Sequence, residues 1–198
     1  MQSSPESYNQ RFIDAKCCVI IPTYNNCTTL EGVINGVLSY TKNILVVNDG
    51  STDLTDSILE RFTFLNHIKQ AKNKGKGCAL QSGFERAIAL GYTHAITIDS
   101  DGQHFVDDIP KFLDALKEHP ASVIIGARNM EQASVPGKSS FGHKFSNFWF
   151  WFETGIKAPD TQSGFRLYPL VPLKGMRWYT TKYEFEIEII VRLAWKGV

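Results

Sequence analysis

Residues 95–104 read Ala95-Ile96-Thr97-Ile98-Asp99-Ser100-Asp101-Gly102-Gln103-His104. A strand-forming run stops abruptly in an acidic loop that contains a glycine. A short apolar run bounded by a turn signal is the pattern of a strand buried on both faces, as in a parallel sheet. Two upstream segments repeat it. Cys17-Cys18-Val19-Ile20-Ile21 runs into Pro22, and Ile44-Leu45-Val46-Val47 runs into Asn48-Asp49-Gly50-Ser51.

Helical patterns fill the intervals. Asn26 or Thr28 can cap a helix to about Leu38, and Thr52 or Asp53 one to about Phe62. Gly75 to Gly77 opens a helix through Leu90, and Ile109 to Lys117 is helical. A weak strand is expected near Ile68 and another at Ser122 to Gly126. Asp160 to Tyr168 reads as a loop leading into a strand, and Tyr183 to Lys196 as a helix with Glu188 and Arg192 as an i,i+4 pair. Strands alternating with helices imply βαβ units: an α/β fold with a mainly parallel central sheet flanked by helices.

The chain has 198 residues, the size of one domain. Residues 1–14 form a polar N-terminal segment with no basic or apolar signal-peptide regions, and 15–198 read as the domain. The formal net charge of +1 supplies no field for nucleic acid. Cys17, Cys18, Cys27 and Cys78 show no CxxC spacing, so buried, reduced thiols in a cytoplasmic protein are expected. No apolar run reaches the roughly 18 residues of a membrane span. The terminal Lys196-Gly197-Val198 reads as a helix C-cap followed by the start of a strand, which suggests a longer protein.

Ligands of open parallel sheets bind at the carboxyl ends of the strands. Pro22 to Asn26, Asn48 to Asp53 and Asp99 to His104 all emerge there, which points to a common site. Asp99, Asp101 and the amide oxygen of Gln103 suit a hard divalent cation. An acidic turn capping the next helix is the plainer reading. Asp49 can accept hydrogen bonds from a base or ribose, or belong to a turn with an N-cap. Asn73-Lys74-Gly75-Lys76-Gly77 can bind phosphate at a helix N-terminus through Lys76, or be a surface turn. It lacks P-loop spacing, and no G-x-G-x-x-G follows the first strand. The aromatic run Phe145 to Phe152 reads first as a core helix and second as a membrane-facing groove for a lipid.

These segments together resemble the family 2 glycosyltransferases. The markers are Val19-Ile20-Ile21-Pro22-Thr23-Tyr24-Asn25, Val46-Val47-Asn48-Asp49-Gly50-Ser51-Thr52-Asp53 and Asp99-Ser100-Asp101-Gly102-Gln103-His104. Gly126-Ala127-Arg128, Gly142-His143-Lys144-Phe145-Ser146-Asn147, Thr154-Gly155 and Asp160-Thr161-Gln162-Ser163-Gly164-Phe165-Arg166-Leu167-Tyr168 look like the dolichol- and polyprenyl-phosphate sugar transferases. The resemblance implies a type-A glycosyltransferase fold, a single Rossmann-like domain. It implies a UDP- or GDP-sugar donor and a lipid-phosphate or glycan acceptor, with membrane association of the full-length protein at the inner face.

The implied roles follow the motifs. Pro22, Tyr24, Asn25 and Asp49 would hold the nucleoside, with Lys76 and Asp99 toward the phosphates. Asp99, Asp101 and Gln103 would hold Mg²⁺ or Mn²⁺. Arg128, Lys144 and Ser146 would meet the acceptor phosphate. Arg166 would meet donor or acceptor phosphate, and Asp160 would lie near the reacting sugar. Asp160, then Glu184, are the candidate bases for a hydroxyl acceptor, while Glu184 and Glu186 read equally as solvated helix charges. His143-Lys144 stands where relatives often carry Asn-Arg, and Asn48 where they often carry Asp. A lysine keeps the charge but loses the bidentate fork that suits phosphate. The rival readings are transfer to a hydroxyl of a glycan or lipid, a non-catalytic sugar-nucleotide-binding module, and a nucleotidyltransferase. The last normally places a glycine-rich basic loop after the first strand, where this chain has Pro22-Thr23-Tyr24-Asn25-Asn26.

Overall fold

The computed structural model describes residues 5–127 and 137–198, without the side chains of 5–6 and 137–144. Its centre is strand β1, Cys17–Thr23, in which every residue is buried. Strands β2 (Ile44–Asn48), β3 (Asn66–Lys69) and β4 (His94–Thr97) join it in parallel. Strands β5 (Ile124–Ile125) and β6 (Arg166–Pro169) complete a six-stranded sheet ordered β3-β2-β1-β4-β6-β5. β6 runs antiparallel to both its neighbours, so the sheet is mainly parallel, as the sequence implies.

Side-chain alternation along β1 explains why its apolar run is continuous. Cys17, Val19 and Ile21 face one core, and Cys18 and Ile20 face the other. The first core is covered by helices α1 (Pro5–Asp14), α2 (Leu30–Leu38), α3 (Thr55–Leu59) and α5 (Ile109–Glu118). The second is covered by α4 (Lys76–Ala89), α7 (Phe185–Ala194) and, through Phe150, α6 (Gly137–Thr154). With both faces covered, a polar residue on β1 would have no solvent to face. Truncating Ile20 to alanine would cost about 2–5 kcal/mol. The polar N-terminal stretch also contributes: Phe12 of α1 is fully buried in the first core.

The helices begin later than their capping residues suggest. α2 starts at Leu30 with no side-chain cap, because Asn26 and Thr29 bond to a neighbouring loop. α3 starts at Thr55 and tightens into a 3-10 turn at Glu60–Phe62. Asp53 serves it from two residues upstream, accepting the Thr55 amide at 3.0 Å. All four cysteines are free. Cys17 and Cys18 are buried, while Cys27 and Cys78 are half-buried. Burial pushes the Cys18 thiol up to about 12.

The aromatic run corrects the core-helix expectation. Phe150 is buried, but Phe145, Phe148, Trp149, Trp151 and Phe152 are all exposed. A helix that is aromatic all round can bury only the face that meets its neighbour. Here that neighbour is α7. The exposed rings instead pack on one another, Trp149 on Phe152 at 5.5 Å and Phe148 on Phe152 at 6.3 Å. Among the described residues, no helix is long and apolar enough to cross a membrane.

Candidate active site

The loops leaving β1, β2 and β4 are stitched into one floor. Asn25 adopts a positive φ of 53°, which turns its side chain onto the β2 loop. Its Oδ1 accepts the Thr52 amide at 2.8 Å, and its own amide donates to Ser51 Oγ at 3.0 Å. Asn26 Nδ2 donates to Ser100 Oγ at 2.8 Å, and Thr29 Oγ1 donates to the Ser100 carbonyl at 2.6 Å. Asp53 Oδ2 accepts the Cys27 amide at 3.0 Å. These crosslinks fix backbone that would otherwise bear the entropy of free loops.

Asp49 holds the next segment. Its Oδ1 accepts the Lys74 amide at 2.9 Å and its Oδ2 the Gly75 amide at 2.8 Å. The buried carboxylate thus grips the stretch that leads into α4. Gly50 is required for this approach: its φ is +70°, and a Cβ there would lie 2.4 Å from the Lys72 carbonyl carbon.

Above this floor lies a cleft of about 360 Å³. Pro22, Tyr24, Asp49, Lys76, Asp99 and Asp101 line it, as the sequence implies for each. So do Asn26 and Asn73, from loops the sequence pointed to, and Lys182 and Tyr183, which sequence reasoning missed. Lys182 and Tyr183 arrive because Glu188 of α7 gathers the preceding loop. It accepts from the Tyr179 amide at 3.0 Å, the Thr180 amide at 2.9 Å and Thr180 Oγ1 at 2.6 Å. The Thr181 carbonyl then accepts the Cys78 amide of α4 at 3.0 Å. The sequence signal for Glu188 was its spacing to Arg192, and that pair forms at 3.0 Å.

Asp99 is the electrostatic centre. Lys76 Nζ lies 2.7 Å from its Oδ1 and 3.0 Å from Glu186 Oε1, and His104 Nε2 lies 3.6 Å from its Oδ2. Burial pushes the Asp99 carboxyl up, but His104 and the Lys76 charge outweigh it and hold it well below the usual range. Burial pushes Lys76 down, and its two carboxylates outweigh that and raise it. Glu186 is therefore no solvated helix charge. It is buried, because α7 turns it inward beside fully buried Phe185.

Among the described residues, the other expected site residues lie outside the cleft lining. Asn25 is spent on the β2 loop. Gln103 is exposed, and its backbone N–H donates to Asp101 Oδ1 at 2.9 Å. Asp160 is buried, with Oδ1 accepting the Gln162 amide at 3.1 Å. Ser146 Oγ pairs with Thr161 Oγ1 at 2.8 Å, and Asn147 Oδ1 accepts the Thr161 amide at 3.0 Å. Glu184 is exposed. Arg128 lies outside the described residues. Lys144 sits on α6, with its side chain outside them.

Arg166 is a correction. It was expected to meet a phosphate, yet it is fully buried. Its guanidinium donates to the carbonyls of Ser163 at 2.6 Å, Thr161 at 2.8 Å and Glu186 at 2.6 Å, and to Tyr168 Oη at 3.0 Å. The protein's own oxygens satisfy it, so it ties β6 to α7 and to the Asp160 loop.

Asp99 and Asp101 both line the cleft, and carboxylate oxygen is the donor type that Mg²⁺ or Mn²⁺ takes. Among the described residues, no cluster of three or more His, Cys, Asp or Glu side chains gathers to enclose an ion. Two carboxylates lining an open cleft fit an ion shared with a ligand's phosphates, as opposed to a closed structural site.

Comparison with known proteins agrees with this geometry. Residues 18–174 match the family model described as glycosyl transferase family 2. A UDP-N-acetylglucosamine--dolichyl-phosphate N-acetylglucosaminyltransferase of Methanococcus voltae is 31% identical over 176 residues, covering 79% of this chain and 70% of the relative. A polyprenol monophosphomannose synthase of Mycolicibacterium smegmatis is 30% identical over 160 residues, covering 76% of this chain and 60% of the relative. The glucosyl-3-phosphoglycerate synthase of Mycobacterium tuberculosis, solved with Mn²⁺, UDP-glucose and phosphoglyceric acid, superposes with a TM-score of 0.74 at 17% identity. That match covers 100% of this chain and 72% of the other, and it carries the fold. The strand-end cleft, the type-A fold and the family match converge: the chain belongs to glycosyl transferase family 2.

Proposed function

We propose that the chain is an inverting glycosyltransferase that moves a hexose from a UDP- or GDP-sugar to the phosphate of a polyprenyl-type lipid. The observation that carries this reading is the meeting of Asp49, Lys76, Asp99 and Asp101 on one open cleft. The activities of the Methanococcus and Mycolicibacterium relatives, on dolichyl phosphate and polyprenol, support the acceptor class. The exposed rings of α6 support it too, because Ser146 and Asn147 tether that helix to Thr161, beside Asp160.

Tyr24 and Pro22 offer a ring and an apolar edge to the nucleoside, with Asp49 below them. Asp99 and Asp101 would hold Mg²⁺ or Mn²⁺, which supplies positive charge to the departing diphosphate. The acceptor phosphate oxygen forms a bond to the anomeric carbon as the bond from that carbon to the donor diphosphate breaks. The nucleoside diphosphate leaves with the electron pair, and the anomeric configuration inverts. An ionised phosphate has no proton to surrender, so this step needs no base. That agrees with the positions of Asp160 and Glu184 outside the cleft lining. On this reading the protein works in the cytoplasm at the inner face of a membrane.

Calorimetric titration with UDP and GDP, each with and without Mn²⁺, tests the donor half. Transfer of labelled sugar to a polyprenyl phosphate tests the acceptor half. Metal-dependent binding of one nucleotide, lost in Asp101→Ala together with turnover, is the expected result. Full activity in Asp101→Ala would sink the metal assignment. Binding without transfer would leave a sugar-nucleotide-binding module.

A further inference from the structure

Lys76 stands between the half-buried carboxylate of Asp99 and the buried one of Glu186, which belong to different elements. Asp99 ends the β4 strand region, and Glu186 lies in the first turn of α7. Nζ is 2.7 Å from Asp99 Oδ1 and 3.0 Å from Glu186 Oε1. Two anions so close together, largely shielded from water, need a cation between them. Glu186 cannot drift away to relieve the contact. Its own carbonyl receives the Arg166 guanidinium at 2.6 Å, and the adjacent Phe185 is fully buried.

We infer that Glu186 is a positioning residue: by sharing Lys76 with Asp99, it sets how strongly the cleft takes a divalent cation and makes that affinity depend on the donor's diphosphate. The inference rests on the reading of Asp99 as a metal ligand. The ammonium already engages one Asp99 oxygen, so a divalent cation that reaches Asp99 alone must work against a like charge a few ångströms away. A diphosphate in the cleft changes the balance, since it gives Lys76 another anion while Glu186 keeps hold of it. Asp99 is then released to the cation. Cation and nucleotide thus favour each other's binding, with Lys76 as the shared element and Glu186 as its anchor.

The test measures Mn²⁺ binding to the full chain, with Mn²⁺ alone and with saturating UDP or GDP, by the loss of the free-ion paramagnetic resonance signal. Wild type should bind Mn²⁺ alone weakly and bind it on the order of tenfold more tightly with nucleotide. Lys76→Met should tighten Mn²⁺ alone by about tenfold and remove most of the nucleotide effect. Glu186→Gln should weaken Mn²⁺ alone, since Lys76 then has only Asp99. Because Glu186 acts through Lys76, adding Glu186→Gln to Lys76→Met should change Mn²⁺ affinity little. A double-mutant cycle separates this from a bare field effect, which would persist in the double variant. Lys76→Gln carries the same comparison should Lys76→Met fail to fold. Unchanged Mn²⁺ affinity in the folded Lys76 variant, or an additive cycle, overturns this inference and leaves the proposed function standing. Absence of Mn²⁺ binding by the wild-type chain with either nucleotide overturns the metal reading and the inference together.

Discussion

Gly164 and Asp99 are packed so closely that a side-chain carbon on the glycine would lie 2.3 Å from Asp99 Oδ2. The loop before β6 therefore forms the back wall of the carboxylate, and only a glycine leaves room for it. Lys76 meets the same carboxylate from the α4 side. Asp99 is thus held from both sides by segments about 90 residues apart in sequence, which follows from β6 inserting antiparallel beside β4.

Gly164→Ala tests that wall. The added methyl must push Asp99 or the loop aside, at a cost of about 1–3 kcal/mol from overpacking. The expected result is a lower urea midpoint and weaker Mn²⁺-dependent nucleotide binding. Wild-type binding in this variant would show that the Asp99 position is not needed for the donor.

Arg166→Met separates a structural arginine from a phosphate ligand. Removing the guanidinium leaves the carbonyls of Thr161, Ser163 and Glu186 and the Tyr168 hydroxyl without this donor. A loss on the order of 3–5 kcal/mol of stability is expected, read from chemical denaturation. A phosphate ligand would behave differently: stability would hold while ligand affinity fell.

The exposed face of α6 invites the paired change Phe148→Ser with Phe152→Ser. Both rings are exposed, so stability should move by no more than about 0.5 kcal/mol for each. Cosedimentation with phospholipid vesicles carrying a polyprenyl phosphate should fall sharply. Unchanged cosedimentation would remove this face from the acceptor side.

Asp53 predicts an acid limb of stability. Burial pushes its carboxyl up, but hydrogen bonds from Thr55 and Cys27 outweigh that and lower it to about 2. The folded state therefore favours the charged form relative to an unfolded value of about 4. Its contribution is complete above that value and disappears as pH falls through about 2. Thermal melts of wild type and Asp53→Ala should differ most near neutral pH and converge toward pH 2. A difference that stays constant across that window would assign the effect to packing instead.

The sequence by itself determined the parallel core and the location of the cleft. Apolar runs at Val19 to Ile21 and Ile44 to Val47, and Ala95 to Ile98 with Thr97 its one polar residue, are tolerated only where both faces are buried, and the polar residues after them must then sit at the strand ends. Asp49, Asp99 and Asp101 were legible for that reason. Tertiary structure alone decided which charges face the cleft and which serve the frame. Glu186 and Arg166 carry ordinary charged side chains in sequence. Their roles depend on α7 packing against β6 and α4, contacts that no local pattern encodes. The α6 rings show the same limit from the other side. Their apolar character was plain, but the number of faces of that helix that find a partner is settled by what packs beside it.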